Sequence, residues 1–239
     1  SGIVYLTLAW EMRHLPQELI PWVDLFGQTL TQMGTDREDY VKLAQRIGRK
    51  TGGIGAGNFT SSIQGSPETN ARFTFAGKAT IAQTADMLEI MADVLANTRL
   101  DNRDRLRQIV LRNKTRTEAS LIPAGNSYVS SRLSAGISTA GLADEQLDGI
   151  EQLFFLRRVA DQIENDFPTV VRQLEAVREI LLTRTGMVAN LTVGSDGLAQ
   201  VHSRLDEFLA ALPDRPAQVR TWTPTPPPSR EGLTLPSQV

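Results

Sequence analysis

The sequence predicts an α+β fold, in which a small, largely antiparallel sheet is covered by helices. Two observations predict the sheet: a strand-like pattern at residues 3–10, and two strand-like segments, 52–63 and 71–78, on either side of a polar turn. A third observation predicts the helices, because apolar residues recur at helical spacing through most of 101–184. A further strand and a closing helix complete the predicted order.

The N-terminal elements are predicted to be a buried strand and an amphipathic helix. The strand combines β-branched, aromatic and aliphatic side chains with few charges, which is typical of a mostly buried strand. The helix should have Pro16 in its first turn and Gly34 at its end. Pro21 lies inside the apolar pattern and should bend the helix or delay its start. The apolar positions of this helix are Leu19, Ile20, Val23, Phe26, Leu30 and Met33.

A second helix and a hairpin follow. The helix has Asp36 as its expected N-cap, because an aspartate side chain accepts hydrogen bonds from free amides at a helix start. The hairpin is predicted from the two strand-like segments and the turn at 65–70. Phe73 and Phe75 alternate with polar residues, so one face of this strand should be buried. The expected apolar positions of the helix are Tyr40, Val41, Leu43, Ala44 and Ile47.

The rest of the predicted domain is mainly helical. Residues 80–97 have a strong helical pattern, and a strand at 187–193 precedes the closing helix. Breaks in the long helical region are expected near Pro123, Gly136–Gly141 and Pro168. The inward positions of the helix at 80–97 should be Ile81, Ala85, Leu88, Met91, Ala92 and Leu95. Those of the closing helix should be Leu198, Val201, Leu205, Phe208 and Leu209.

The C-terminal residues differ in composition from the rest. Seven of the 12 prolines fall between Pro213 and Pro236, which is typical of a semi-extended linker. We therefore expect a domain at 1–212 and a proline-rich linker at 213–239 that leads into a further domain. Ser1 is not a methionine, and both ends look like cut points in a longer polypeptide. The alternative is a processed N-terminus with a disordered tail.

Composition excludes several classes of protein. At 239 residues the chain can bury a sizeable core, and 41% hydrophobic and 22% charged residues are ordinary for a globular protein. A net charge of -2 gives no reason to expect nucleic acid or an anionic membrane as a partner. No apolar run reaches the roughly 18 residues that a membrane span needs. The absence of cysteine excludes disulfides and thiolate metal sites.

Three motifs bear on the question of chemistry. The glycine cluster at 52–57 follows the basic pair Arg49 and Lys50, but it fits no phosphate-binding signature and enters a strand, which favours a role in backbone geometry. The helix near 103–120 carries two basic stripes beside an apolar strip, which favours solvated charges over contact with an acidic or extended peptide. The stripes are Arg103, Arg107 and Lys114, and Arg105, Arg112 and Arg116; the strip is Leu106, Ile109 and Val110. Small residues in 130–150 favour close helix packing, with the lining of a substrate chamber as the alternative.

Several blocks in order along residues 2–213 resemble the presequence proteases, which are pitrilysin-type zinc metallopeptidases of the inverzincin group. The blocks are Gly2–Leu6, Glu18–Pro21, Leu25–Gly27, Met33–Thr35, Leu43–Gly57, Ser130–Gly136, Ala140–Gln146, Leu147–Ile150 and Leu153–Leu156. The similarity lies in the third of four homologous domains. Residues 231–239 resemble the first strand of the next domain.

The resemblance implies a part without catalytic groups in a larger enzyme. In that family two bowl-shaped halves enclose a chamber for short unstructured peptides, such as cleaved targeting sequences. Zinc and its base belong to the first domain, and substrate-positioning residues belong to the fourth. The implied partners are the other domains and the peptide, without nucleic acid or membrane. The implied compartment is bacterial cytoplasm or the interior of a mitochondrion or plastid, and the isolated chain should be inert.

The family's zinc motif, His-x-x-Glu-His, has no counterpart here. The chain has only His14 and His202, far apart in sequence, expected in a strand-to-helix turn and on a solvated helix face. No serine or cysteine nucleophile motif occurs either. We therefore assign no catalytic, cofactor-binding or metal-binding residue to this chain. Two alternatives to the protease interpretation are a stand-alone binding or scaffold domain and a hydrolase with an unrecognised site.

Overall fold

The computed structural model describes residues 2–66, 68–224, 226, 228 and 230–234. The strands are β1 (Ile3–Glu11), β2 (Ile54–Ser62), β3 (Thr69–Thr80) and β4 (Val188–Thr192). The helices are α1 (Trp22–Gln32), α2 (Tyr40–Lys50), α3 (Thr84–Asn97), α4 (Arg103–Ser120), α5 (Gly125–Ala135), α6 (Thr139–Asp148), α7 (Ile150–Asn165), α8 (Phe167–Leu181) and α9 (Ser195–Ala211). The predicted α+β class and the predicted order of strands and helices are confirmed.

The four strands form one sheet in the order β2-β3-β1-β4, and every neighbouring pair is antiparallel. Leu8 of β1 lies opposite Phe75 of β3, and Trp10 lies opposite Phe73. These four side chains are buried, as the alternating pattern of β3 predicts. β4 pairs with the other side of β1, so β1 lies in the middle of the sheet although it comes first in the chain.

Pro21 delays the start of the first helix, as predicted. The chain forms a short 3-10 turn at Gln17–Leu19, and α1 begins at Trp22, directly after the proline. At the other end, Gly34 has a φ of 85°, a left-handed conformation that ends helices and favours glycine.

Gly27 lets α1 lie close to the sheet. A Cβ atom at this position would lie 3.0 Å from Ala56 Cβ and 3.1 Å from Phe73 Cε2. The neighbouring Phe26 ring packs against Phe73, with ring centroids 5.7 Å apart. The core therefore lies between this helix and the face of the sheet that carries the phenylalanines of β3.

The prediction of Asp36 as the N-cap of α2 is wrong. Asp39 caps the helix, because its Oδ1 accepts hydrogen bonds from the amides of Val41 and Lys42, both at 2.9 Å. The apolar face of α2 is also narrower than predicted, since Leu43 is buried whereas Val41 and Ala44 are exposed. In the same way, Ala85 of α3 and Leu198 of α9 are exposed, although the apolar pattern places them inward.

Five helices, α4 to α8, occupy the predicted helical region, with the expected breaks at 121–124 and 136–138. Pro168 lies in the first turn of α8, where a missing amide hydrogen costs no hydrogen bond. A break at Gly149 was not predicted. The side chain of Glu145 occupies the space that a Cβ at Gly149 would need, so the two helices α6 and α7 meet at this glycine.

The described part of the proline-rich segment has no helix or strand, and its first part is held against the domain. The Trp222 side chain is 2% exposed, and its Nε1 donates a hydrogen bond to the carbonyl oxygen of Leu15 at 3.0 Å. The amide of Arg220 donates to the carbonyl oxygen of Arg13 at 2.7 Å. The predicted strand at 231–239 falls partly on residues 235–239, which lie outside the described residues. The division at 212 stays a prediction.

Candidate functional site

The two histidines lie in separate parts of the fold. His14 lies in the 3-10 turn after β1 and is 5% exposed. Burial lowers its pKa, and Glu11 opposes that effect in part. His202 lies on α9, where its Nδ1 is 2.9 Å from Oδ2 of Asp206 and both side chains are exposed. The predicted turn and solvated helix face are therefore confirmed.

Neither histidine has the partners that zinc needs, since a catalytic zinc takes three protein ligands. Within the described ranges, no group of three or more histidine, aspartate or glutamate side chains is placed to hold a metal ion. The residues of this chain therefore do not fit a zinc site.

The glycine cluster forms the tight entry into β2. The amide of Gly52 donates to the carbonyl oxygen of Lys78 at 2.7 Å, and the amide of Gly53 donates to Thr51 Oγ1 at 3.0 Å. Gly53 has a φ of 127°, which a residue with a side chain rarely adopts. These two amides bind acceptors within the chain, which supports the interpretation as backbone geometry.

Most of the basic side chains of α4 bind neighbouring helices. Arg107 Nε lies 2.5 Å from Glu164 Oε1, and Arg103 Nε donates to the carbonyl oxygen of Ile163 at 2.9 Å. On the other side, the Arg105 guanidinium lies 4.0 Å from the centre of the Tyr40 ring. The predicted apolar strip of Leu106, Ile109 and Val110 is buried. These arginines therefore link α4 to the end of α7 and to the start of α2.

A polar cavity of about 720 Å³ lies between α1, α4, α5, α6 and α7, next to β2. It brings together residues from three of the sequence motifs, namely the basic helix and the two blocks within 130–150. The polar residues of its wall include Asp24, Gln28, Asn58, Arg116, Tyr128, Ser131, Asp144, Asp148 and Gln152. The small residues of the same blocks serve packing, because a Cβ at Gly141 would meet the backbone of Ser134.

Carboxylates outnumber cations in this cavity. Burial raises the pKa of Asp24, and the Asp148 carboxylate adds to that effect, although Gln28 Nε2 donates a hydrogen bond to Asp24 Oδ2 at 2.8 Å. Burial likewise raises the pKa of Asp148, where Arg116 lowers it and Asp144 raises it further. In the part of the chain that the structure describes, Arg116 forms no salt bridge with these aspartates. The cavity thus has excess negative charge that the described groups leave partly uncompensated.

Gln152 brings a buried polar group to the same cavity. It is 4% exposed, and its Nε2 donates a hydrogen bond to the carbonyl oxygen of Pro21 at 3.2 Å. Its Oε1 is buried without a hydrogen-bond partner among the described residues. Buried acceptors without a partner are rare in folded proteins and call for an explanation. The arrangement can therefore accept hydrogen bonds from a ligand that carries donors and positive charge.

The model of the peptidase M16 (subfamily C) associated family matches residues 1–159. The chain belongs to this peptidase M16 associated family. The match includes every residue of the cavity wall, which runs from Asp24 to Leu156.

Relatives of this M16 associated chain are proteases and are much longer. Presequence protease 1, chloroplastic/mitochondrial, of Arabidopsis thaliana is 32% identical over 240 residues, which are 100% of this chain and 22% of that protein. Mitochondrial presequence protease of Saccharomyces cerevisiae is 28% identical over 204 residues, 83% of this chain and 21% of that protein. Protein HypA of Clostridium perfringens is 26% identical over 79% of this chain and 19% of that protein. The M16 associated chain thus spans about one fifth of the length of these relatives.

A crystal structure described as the peptidase M16 inactive domain from Pseudomonas fluorescens has the same fold. Its TM-score is 0.57 at 15% identity, and the match covers 94% of the M16 associated chain and 49% of that chain. This likeness confirms the predicted fold class, and the family match confirms the resemblance at the level of M16 peptidases. In the described residues, no helix is both long and apolar enough to cross a membrane.

Sequence reasoning missed Asp24, Gln28 and Gln152 as residues of the cavity in this M16 associated chain. Gln152 had a readable signal, because Leu156, Val159 and Ile163 follow it at helical spacing and are all buried. A glutamine in the first position of such a stripe is a polar group in a core position. Asp24 had no comparable signal, since a polar residue on an amphipathic helix is ordinary.

Proposed function

We propose that this chain is the third of four homologous domains of an M16 peptidase, forms part of a peptide-enclosing chamber, and provides neither a catalytic group nor a zinc ligand. The observation that carries the proposal is the match with the Arabidopsis protease, which spans 100% of this chain but 22% of that protein. The fold shared with the M16 inactive domain is consistent with a role without catalysis.

An exposed apolar stripe on α5 and the residues after it supports a place within a larger polypeptide. Val129 is 61% exposed, Leu133 57% and Ile137 82%, and the three recur every four residues. Apolar surface of this kind is typical of contact sites. In the proposed protein, another domain of the same polypeptide covers this stripe.

The proposed activity of the whole protein is hydrolysis of peptide bonds in short unstructured peptides, such as cleaved targeting sequences. Zinc, bound outside this chain, would activate water for the attack, and a glutamate outside this chain would act as the base. The proposed compartment is the interior of a mitochondrion or plastid, or the bacterial cytoplasm, and two of the relatives carry organellar names.

The test compares the 239-residue chain with the complete polypeptide that its gene encodes. Both are incubated with a fluorogenic unstructured peptide, with and without a zinc chelator. We expect chelator-sensitive cleavage by the complete polypeptide and none by the chain alone. Zinc-dependent cleavage by the chain alone would refute the proposal. A gene that encodes no further domain would favour the stand-alone scaffold.

A further inference from the structure

We infer that the polar cavity binds a cationic side chain, an arginine guanidinium or a lysine ammonium, of an unstructured peptide. The groups that would receive it are Asp24, Asp144, Asp148 and the Oε1 of Gln152. The inference rests on the proposed function only for the peptide as the source of the cation. The charges and the unpartnered acceptor of the cavity carry the rest.

The aspartates are placed against the preferences of their own helix. Asp144 and Asp148 lie four residues apart on α6, so their like charges face the same side and repel. Asp148 is also the last residue of that helix, where the helix dipole disfavours a negative charge. Asp24 adds a third carboxylate from α1. Violations of local preference that folding does not require are expected at functional sites.

Gln152 points to a ligand independently of the charges. Its side chain is 4% exposed, it lies in the wall of the cavity, and its Oε1 lacks a hydrogen-bond partner among the described residues. A donor from a ligand would satisfy this acceptor. Guanidinium and ammonium groups carry only donors, so they suit a wall of carboxylate and amide oxygens.

An organic cation fits this cavity better than a metal ion. Within the described residues, the aspartates do not come close enough together to form a three-ligand cluster. Arg116 also lies in the wall and would repel a small divalent ion placed between the carboxylates. A long, flexible cationic side chain can avoid Arg116 and bind the more distant acceptors separately.

The binding test uses the 239-residue chain labelled with ¹⁵N and two small probes. N-acetyl-arginine amide carries the guanidinium, and N-acetyl-citrulline amide has nearly the same shape without the charge. We expect the arginine probe to shift amide resonances of α1, α6 and the start of α7 in a saturable manner. The citrulline probe should bind about ten-fold more weakly, because hydrogen bonds to charged groups are stronger than neutral ones.

Variants separate binding from loss of structure by moving the affinity in both directions. Asp24→Asn combined with Asp148→Asn should weaken the arginine probe by about ten-fold or more. Arg116→Gln removes the cation of the wall and should tighten it. Asp161→Asn, an exposed aspartate of α7 away from the cavity, is the matched control and should leave the affinity unchanged. A thermal melt of each variant checks that it is folded.

Three outcomes would overturn the inference. They are equal binding of the citrulline probe, weaker binding by the Arg116→Gln variant, and equivalent resonance shifts on addition of calcium alone. Failure of the proposed function is a separate result, because it concerns cleavage by the complete polypeptide. The chain could bind arginine while the complete polypeptide cleaves nothing, and that pair of results would refute only the proposed function.

Discussion

Asp93 shows how one buried carboxylate holds three segments of the fold. It lies on α3 and is 3% exposed. It accepts hydrogen bonds from Arg46 Nη2 at 2.7 Å, Thr35 Oγ1 at 3.2 Å and Asn97 Nδ2 at 3.0 Å. Burial would raise the pKa of Asp93, but hydrogen bonds from Asn97, Arg46 and Thr35 outweigh burial and hold the pKa below its ordinary value.

We expect Asp93→Asn to lower the free energy of unfolding by about 2–3 kcal/mol at neutral pH, because Arg46 loses its charged partner. Since the folded-state pKa of Asp93 is depressed, its stabilisation is present above the ordinary value of 3.8 and is lost as the pH falls through the folded-state pKa. The difference between variant and wild type should therefore narrow in acid. Urea denaturation at neutral pH and at about pH 3 measures it.

The control is Asp86→Asn on the same helix. Asp86 pairs with Lys50 at 3.2 Å, and both side chains are well exposed, so the expected loss is below about 1 kcal/mol. An equal loss in the two variants would show that the contacts of Asp93 contribute nothing beyond those of a surface pair.

At the scale of elements, the proline-rich segment is anchored more firmly than its composition predicts. Trp222 is buried beside the turn that follows β1, whereas Val219 is 57% exposed. Proline content alone predicts a solvated, semi-extended chain. A single large aromatic residue with a hydrogen bond to Leu15 is enough to attach part of this segment to the domain.

We expect Trp222→Ala to release residues 213–224 from the domain and to lower the free energy of unfolding by about 3 kcal/mol, as for other buried tryptophans. Limited trypsin digestion should then cut rapidly after Arg215 and Arg220. Val219→Ala is the control and should keep the cutting rate of the wild type. Unchanged protection in the Trp222→Ala variant would contradict the anchor.

Element boundaries were predictable from sequence where one residue decides them. Pro21 fixed the start of α1 because its ring and missing amide hydrogen act locally. The break at Gly149 was not predictable in this way, because its cause is the buried side chain of Glu145. The N-cap of α2 was predicted three residues too early, since Asp36 and Asp39 are equally good caps in isolation.

At the scale of the whole molecule, the apolar stripe of Val129, Leu133 and Ile137 should control self-association. We expect Val129→Lys combined with Leu133→Lys to reduce association of the isolated chain and to leave its thermal stability within about 0.5 kcal/mol, because both side chains are exposed. Sedimentation velocity across a concentration series measures the association. Val219→Lys, at another exposed apolar residue, is the matched control. Equal association of the wild type and the double variant would contradict this role.

The candidate site illustrates what sequence reasoning cannot reach. Arg116, Asp144 and Asp148 lay in motifs that the sequence singled out, but Asp24 and Gln152 complete the wall from α1 and α7. These residues meet only because five helices pack around one space. The resemblance to a family predicted the fold and the family correctly, whereas local patterns alone did not indicate this meeting of distant segments.

The central position of β1 has a consequence for the order in which the chain folds. Its pairing with β3 joins segments from the first third of the sequence, whereas its pairing with β4 requires residues 188–192. Contacts between distant segments form slowly, because the loop between them must first close. The backbone of Tyr5–Ala9 therefore remains an open strand edge until the last quarter of the chain arrives. That interval is when this protein is most exposed to pairing with a second unfolded copy.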